Sequence, residues 1–384
     1  MKNSNTFYYI TLLLLLILLQ NCTSEEHSEA EYYSIDDFNT IEKFNSHVHL
    51  RGDNTSYIEQ AIRDNFKLLS LVSSSPGATR SMSVEEQEEE ILQKMEVFPE
   101  NLFYSTTILD PYSFNEPDWE EKTIEHLQRS FDRGTVAVKI RKSIGMEVQD
   151  PEGNFIRVDD PKFDSIMAFI EENDKTLIGH IGEPMNAWLP LEEMTTGGDR
   201  QYYSGMPQYH MYLHPDLPGH EVHIEARDNM LAKNPNLRFV GAHLGSLEYD
   251  VDELAKRLDR FPNMAVDMAE RICHLQHQAV TDWQKVHDFF IKYQDRLIYA
   301  TDESSFGPKP HYGAALTDQS LRTDEQIAEA SRENWLRHWK FFVSDERMSA
   351  PKVEEEFNGL KLPREVIDKI YLTNAEKWFP GILQ

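Results

Sequence analysis

Cysteine is almost absent from this chain. Only Cys22 and Cys273 occur in 384 residues, so no disulfide framework holds the fold. Basic residues are also scarce. Lys and Arg number 38 against 66 Asp and Glu, a formal charge of −28. Such a surface repels phosphate backbones and anionic lipid headgroups, which argues against nucleic acid as a partner. Gly and Pro are ordinary at 17 and 18, and after Ser34 no Pro/Gly-rich linker divides the chain. There is no internal repeat of solenoid length and no G-x-G-x-x-G phosphate fingerprint after the first strand-like run. With 40% hydrophobic residues the chain can bury a substantial core, which excludes a disordered or collagen-like polymer.

The one long hydrophobic run is at the start. Lys2 precedes an apolar stretch from Phe7 to Leu19, broken only by Thr11. It is short for a membrane span, which takes about 20 residues, and fits the core of a secretory signal. The ending Leu18-Leu19-Gln20-Asn21-Cys22 resembles a bacterial lipoprotein signal, although Gln20 and Asn21 are bulkier than the usual residues before the lipidated Cys. That resemblance implies a signal peptide over 1–21, an acidic tether over 22–34 and a lipid-anchored, exported domain over 35–384. The acidic stretch behind Cys22 is similar to signals for display at the outer-membrane surface.

The remainder alternates β-rich runs with helical periodicity. Eight runs read as strands: 41–50, 67–73, 102–109, 136–140, 177–181, 237–242, 264–268 and 297–300. Helical spacing is clear over 84–97, 161–173, 247–261, 281–293 and 325–343. The last carries Trp335, Leu336 and Trp339, which read as core. Eight strands alternating with helices predict a (β/α)8 TIM barrel, with an open doubly wound sheet as the other arrangement. Two connections are too long for plain loops, 183–219 after the fifth strand and 303–323 after the eighth. Both leave strand C-termini, the face where barrel sites are built.

Side chains chosen for chemistry collect at those same ends. His47 and His49 flank Val48 at the end of the first run, so strand alternation points both imidazoles the same way. His180 ends the fifth run, His243 the sixth and Asp302 the eighth. Each alone is an ordinary hydrogen-bonded residue. Together at one rim they make a nitrogen and oxygen donor set suited to a divalent ion, zinc above all.

The segments N-S-H-V-H-L (45–50), L-I-G-H-I-G-E-P (177–184), F-V-G-A-H-L-G-S (239–246), I-Y-A-T-D (298–302) and L-T-N-A-E-K-W-F (372–379) resemble the amidohydrolase superfamily. The likeness is to its amidohydrolase-related branch, which includes decarboxylases and lactonases. It implies that His47, His49, His180 and Asp302 hold one divalent metal. His243 would stand beside it as a general base or polariser, with Asp302 also relaying a proton. Ala300 replaces the Gly often found before the Thr-Asp of that branch. Two-metal members carry a carboxylated Lys on strand four. Lys139 has that position, but a solvated or salt-bridged Lys is the expectation here, hence one metal. The implied activity is hydrolysis of an ester, lactone or amide of a small molecule, with non-oxidative decarboxylation or a non-catalytic binding role as alternatives.

Further candidates surround this set. Glu183 either binds substrate or steadies His180. Arg141, Lys142 and Arg271 follow strands four and seven and could anchor a substrate carboxylate or stay solvated. The 183–219 connection holds Trp188, Tyr202, Tyr203, Tyr209, His210, Tyr212 and His214, which reads as packing before a lid surface. His220 and His223 read as capping or surface residues, and Cys273 as a core thiol. Nothing in the sequence sets an oligomeric state.

Overall fold

The computed structural model describes residues 31–73, 82–305 and 323–382. The apolar N-terminal segment, Cys22 and most of the connection after the eighth strand therefore lie outside the described residues. The strands are β1 Lys43–His49, β2 Phe66–Leu71, β3 Leu102–Thr107, β4 Ala137–Ile140, β5 Thr176–Gly179, β6 Phe239–Gly241, β7 Met264–Asp267, β8 Leu297–Ile298 and β9 Glu303–Ser304. All pair in parallel and in chain order from β1 to β8.

The ring closes because the eighth strand is split. β8 pairs with β7, and after Asp302 the chain resumes as β9, which pairs with β1. Backbone bonds span the gap: Ser46 N donates to Tyr299 O (3.1 Å), Asp302 N to His47 O (2.8 Å) and Ser305 N to His49 O (3.0 Å). The product is the expected (β/α)8 barrel, with β8 and β9 as halves of one strand.

Helices cover the outside, and their local chemistry is favourable. Val84–Val97 opens with a reciprocal Ser83/Glu86 capping box. Val251–Arg260 buries Val251, Leu254 and Leu258 on one stripe and carries Arg257 and Arg260 in its last turn. The long helix Asp324–Val343 seats Trp335 and Trp339 in the outer core, as its pattern predicts.

Inward residues fill the bore from below: Phe44, Leu69, Leu71, Ala137, Ile178, Val240, Ala265 and Ile298. The helix Asn374–Trp378 and the residues after it stopper the floor, with Trp378, Phe379 and Ile382 joining that cluster. Asn374 Nδ2 donates to Leu297 O (2.8 Å) and Gln294 O (2.6 Å), so the stopper hangs on the eighth strand. Among the described residues the bore is thus filled at its floor and opens at the strand C-termini.

The connection after β5 folds as a small subdomain with its own core of Met146, Ala187, Met194, Tyr203 and Met211, against which Trp188, Tyr202 and Tyr209 pack. At the other end, residues 31–34 of the acidic stretch are seated on the barrel. Arg364 N donates to Glu31 O (2.9 Å) and Tyr33 OH to Asp368 Oδ1 (2.7 Å).

Candidate metal centre

Strand phase decides what reaches the bore. In β4, Ala137 faces inward, so Lys139 does too; in β5, Ile178 faces inward, so His180 does too. β1 needs a correction to its phase. Phe44 faces in, and strict alternation would send Val48 in with it and the histidines out. Val48 instead packs in the outer core. The β1–β2 register slips between Asn45 and Val48, and this irregularity turns His47 and His49 into the bore.

Two other strand ends use backbone strain. His243 and Leu244 both have left-handed φ, 59° and 56°, just past β6. Asp302 sits at φ 57° where the eighth strand breaks. Non-glycine residues rarely occupy this region, at a cost of about 1–3 kcal/mol each. Gly179 allows the same close packing beside His180: a Cβ there would lie 2.4 Å from the Phe239 ring.

The tautomers follow from the hydrogen bonds. His47 Nδ1 lies 2.9 Å from Asp267 Oδ2, and His49 Nδ1 lies 2.9 Å from Leu71 O. Both partners only accept, so both Nδ1 atoms carry protons and both Nε2 atoms keep lone pairs. Those lone pairs face Asp302 Oδ1 at 3.3 and 3.2 Å. Three ligand-type atoms thus converge at one place. The donor atoms of His47, His49 and Asp302 all lie within 4.8 Å of one another, and this electron-rich triad fits a divalent cation. Lys139 Nζ lies 2.9 Å from His47 Nε2 and supplies positive charge at the same place.

His180 and His243 stand beside the triad as a ring pair, with centroids 4.3 Å apart; His243 lies 4.9 Å from His47. His243 Nδ1 donates to Ala269 O (2.9 Å), which leaves its Nε2 as a base. Burial disfavours the charged form of His49, His180 and His243. The His49 pKa is drawn down to about 4, and those of His180 and His243 fall well below the usual value.

Asp267 is the residue that sequence reading passed over. Its Oδ2 takes the His47 proton, while its Oδ1 accepts from His243 N (2.8 Å) and Ala269 N (3.1 Å). One buried carboxylate therefore orients one candidate ligand, His47, and braces the turn that presents the base, His243. Its donors are also near His47 and His243, but both oxygens are already engaged.

The other expected residues have distinct placements. Lys139 is not solvated: it is buried in the bore beside His47, because its strand face is the inner one. Glu183 does not hold His180; its carboxylate is taken by Lys142 and by Tyr203 OH (3.4 Å). Arg271 lines the pocket with His180 and His243, and Asp199 from the helix Gly197–Gly205 lies 3.6 Å from its Nη1. Burial opposes the Asp199 charge, but His274 and Arg271 overcome it and lower its pKa. Arg141 lines the opposite side of the site with His49 and Lys139. His220 and His223 are not at the surface. Both are buried against Trp188, and His220 Nε2 lies 2.8 Å from Ser246 O. Cys273 is a buried thiol whose pKa burial pushes up to about 12, so it is no nucleophile.

A family model described as amidohydrolase matches residues 113–381. The match starts after β1, so the placement of His47 and His49 rests on the geometry above. Among solved structures, a 2,6-dihydroxybenzoate decarboxylase bound to 2,6-dihydroxybenzoate is 14% identical, with a TM-score of 0.50 over 88% of this chain and 99% of that one. The 2,6-dihydroxybenzoate decarboxylase from Rhizobium gives 14% identity and a TM-score of 0.49 over 88% and 98%. A dihydroorotase from Saccharomyces cerevisiae in complex with 5-fluoroorotic acid gives 10% and 0.45 over 88% and 84%. At 14% identity, the 2,6-dihydroxybenzoate-bound structure is similar to this chain in fold alone. No curated protein sequence matches this chain.

Proposed function

The chain belongs to the amidohydrolase family, and from that premise we propose that it is a metal-dependent hydrolase of an ester, lactone or amide bond in a small molecule. The observation that carries this reading is the meeting of His47 Nε2, His49 Nε2 and Asp302 Oδ1 at 3.2–3.3 Å in the bore. His47, His49 and Asp302 would hold the ion, with His180 the fourth ligand and zinc the metal best suited to this donor set. Such a cation supplies Lewis acidity for a water and for a substrate carbonyl.

The chain's own residues supply the rest. His243, neutral and with Nε2 unprotonated, accepts a proton from the attacking water and returns it to the leaving group. Asp302 keeps negative charge beside that exchange. The floor stopper confines entry to the rim, and the subdomain after β5 roofs one side of the pocket through Tyr202 and Tyr203. The lipoprotein-type start would put this domain outside the cytoplasm on a lipid tether.

The test is metal analysis of the purified full chain, then a panel of lactones, esters, amides and aromatic acids followed by acid titration and CO2 release. Stoichiometric divalent metal with acid release from an ester or lactone, or amine release from an amide, supports hydrolysis. CO2 release without acid production replaces this reading with decarboxylation on the same residues. Absence of bound metal and of turnover overturns both. His243→Ala should keep its metal and lose turnover, whereas Asp302→Ala should lose both.

A further inference from the structure

The turn that carries His243 is left-handed along its whole length. His243, Leu244, Gly245 and Ser246 follow one another at φ of 59°, 56°, 63° and 57°. L-residues visit this region singly and rarely in a run, because each Cβ crowds the following carbonyl. The run winds as a left-handed helical turn, with Ser246 N donating to His243 O and Leu247 N to Leu244 O, both at 3.2 Å. Such a conformation persists only where its surroundings hold it.

The holding contacts come from three directions. Asp267 Oδ1 takes the His243 N–H at the start (2.8 Å). Ser246 Oγ donates towards Ile181 O (3.0 Å) and Gly182 O (3.2 Å), which ties the turn to the chain just past β5. The end is capped by the helix His220–Lys233. His220 and Arg227 stand two helical turns apart and so share one face of it. Arg227 Nη1 donates to Gly245 O (2.5 Å). His220 Nε2 lies 2.8 Å from Ser246 O and donates to it, since a carbonyl oxygen only accepts.

Both donors are themselves fixed. Arg227 is buried, and its Nε and Nη2 both donate to Asp228 Oδ1, at 3.1 and 2.7 Å. That pairing occupies one edge of the planar guanidinium and aims Nη1 at the turn. A Cβ added to Gly245 would lie 3.2 Å from that Nη1, so the close approach needs glycine there. The His220 ring packs on Trp188 and Tyr249, with centroids 5.3 and 5.7 Å away.

We infer that Arg227 and His220 are positioning residues for His243: they cap the left-handed turn and keep its imidazole turned into the bore beside His180. Their value to catalysis rests on the hydrolase reading, in which His243 moves the proton. Neither residue lines the pocket, so both act through the turn. His47, His49, His180 and Asp302 lie outside the turn, so metal content should not depend on the cap.

The test is NMR of the full chain with isotope-labelled histidine, metal-free and zinc-loaded, with 4-nitrophenyl acetate as the activity probe. The His243 Nδ1 proton, bonded to Ala269 O, is identified by its loss in His243→Ala. In Arg227→Met this proton should exchange with water at least about tenfold faster, while the Nδ1 protons of His47 and His49 keep their rates. A general loss of stability would speed all three alike. Arg227→Lys keeps the charge without the fork and should fall between. His220→Phe keeps a ring on Trp188 and removes the N–H; it should act in the same direction, and it decides the matter if Arg227→Met does not fold. In both variants kcat should fall about tenfold or more at unchanged KM and zinc content, and Arg227→Met should slow His243→Ala no further. A His243 proton that is absent in wild type, unchanged in the variants, or accelerated only together with those of His47 and His49 overturns the inference, as does an additive loss of kcat. If the proton responds but the wild type leaves 4-nitrophenyl acetate intact, the positioning role stands while the hydrolase reading falls.

Discussion

The sharpest prediction concerns Asp267→Asn, a change that keeps size and shape. The side-chain oxygen must stay where two backbone N–H groups, of His243 and Ala269, point at it from 2.8 and 3.1 Å. Rotating the amide to face them with NH2 would lose two hydrogen bonds and set donor against donor, a cost of about 2–6 kcal/mol. The NH2 therefore faces His47 Nδ1, now 2.9 Å from a donor instead of an acceptor. His47 must move its proton from Nδ1 to Nε2, and the lone pair aimed at Asp302 Oδ1 disappears. Loss of such a supporting partner typically weakens a metal by about 10–100-fold, or about 1.4–2.8 kcal/mol. Asp267→Ala leaves His47 free to choose either tautomer. It should therefore bind metal at least as well as the Asn variant, although it leaves two buried N–H groups unpaired and folds less stably. The assay is zinc competition against a chromophoric chelator, with thermal melts of both metal-free variants. If Asp267→Asn binds within twofold of wild type, the tautomer argument is wrong.

Other outcomes follow from the same structure. Burial draws His49 down to about 4, while an unfolded His titrates near 6.5. Between those values the unfolded chain binds more protons, so this group's contribution to stability falls as pH drops from 6.5 towards 4; urea midpoints of the metal-free protein should fall across that window. Glu303 works the opposite way. Burial raises it to about 7, so its contribution is lost as pH rises from 4.5 to 7, and Glu303→Gln should flatten that part of the profile. Trp378→Ala removes the floor stopper from a fully packed cluster and should cost about 3–5 kcal/mol in chemical denaturation, with a marginal effect on metal affinity. Cys22→Ser should abolish lipid incorporation and release the exported domain; unchanged mass and membrane association would refute the lipoprotein reading.

Much of the architecture was readable in advance, since period-2 and period-3.6 patterns separate cleanly over most of this chain. His47, His49, His180, His243 and Asp302 stood out because each closes a hydrophobic run, and a barrel gathers such ends. What stayed hidden depends on phase. The burial of Lys139 was obscure because periodicity groups Ala137, Lys139 and Arg141 without saying which face is inner. The slip in β1 leaves no mark in the order of residues, since Asn45 and Ser46 are unremarkable there. Asp267 reads as one more strand-end carboxylate until the left-handed turn at His243 aims an N–H at it.

The split eighth strand also carries a consequence for assembly. The ring has a single joint where its earliest and latest pieces meet, β1 against β8 and β9. His47 and His49 lie on one side of that joint and Asp302 on the other. A captured cation would therefore act as a rivet through the closure, tying together segments some 250 residues apart in the polymer. The ion would add to the backbone bonds that already close the ring, and stripping it should loosen the barrel along that line before anywhere else.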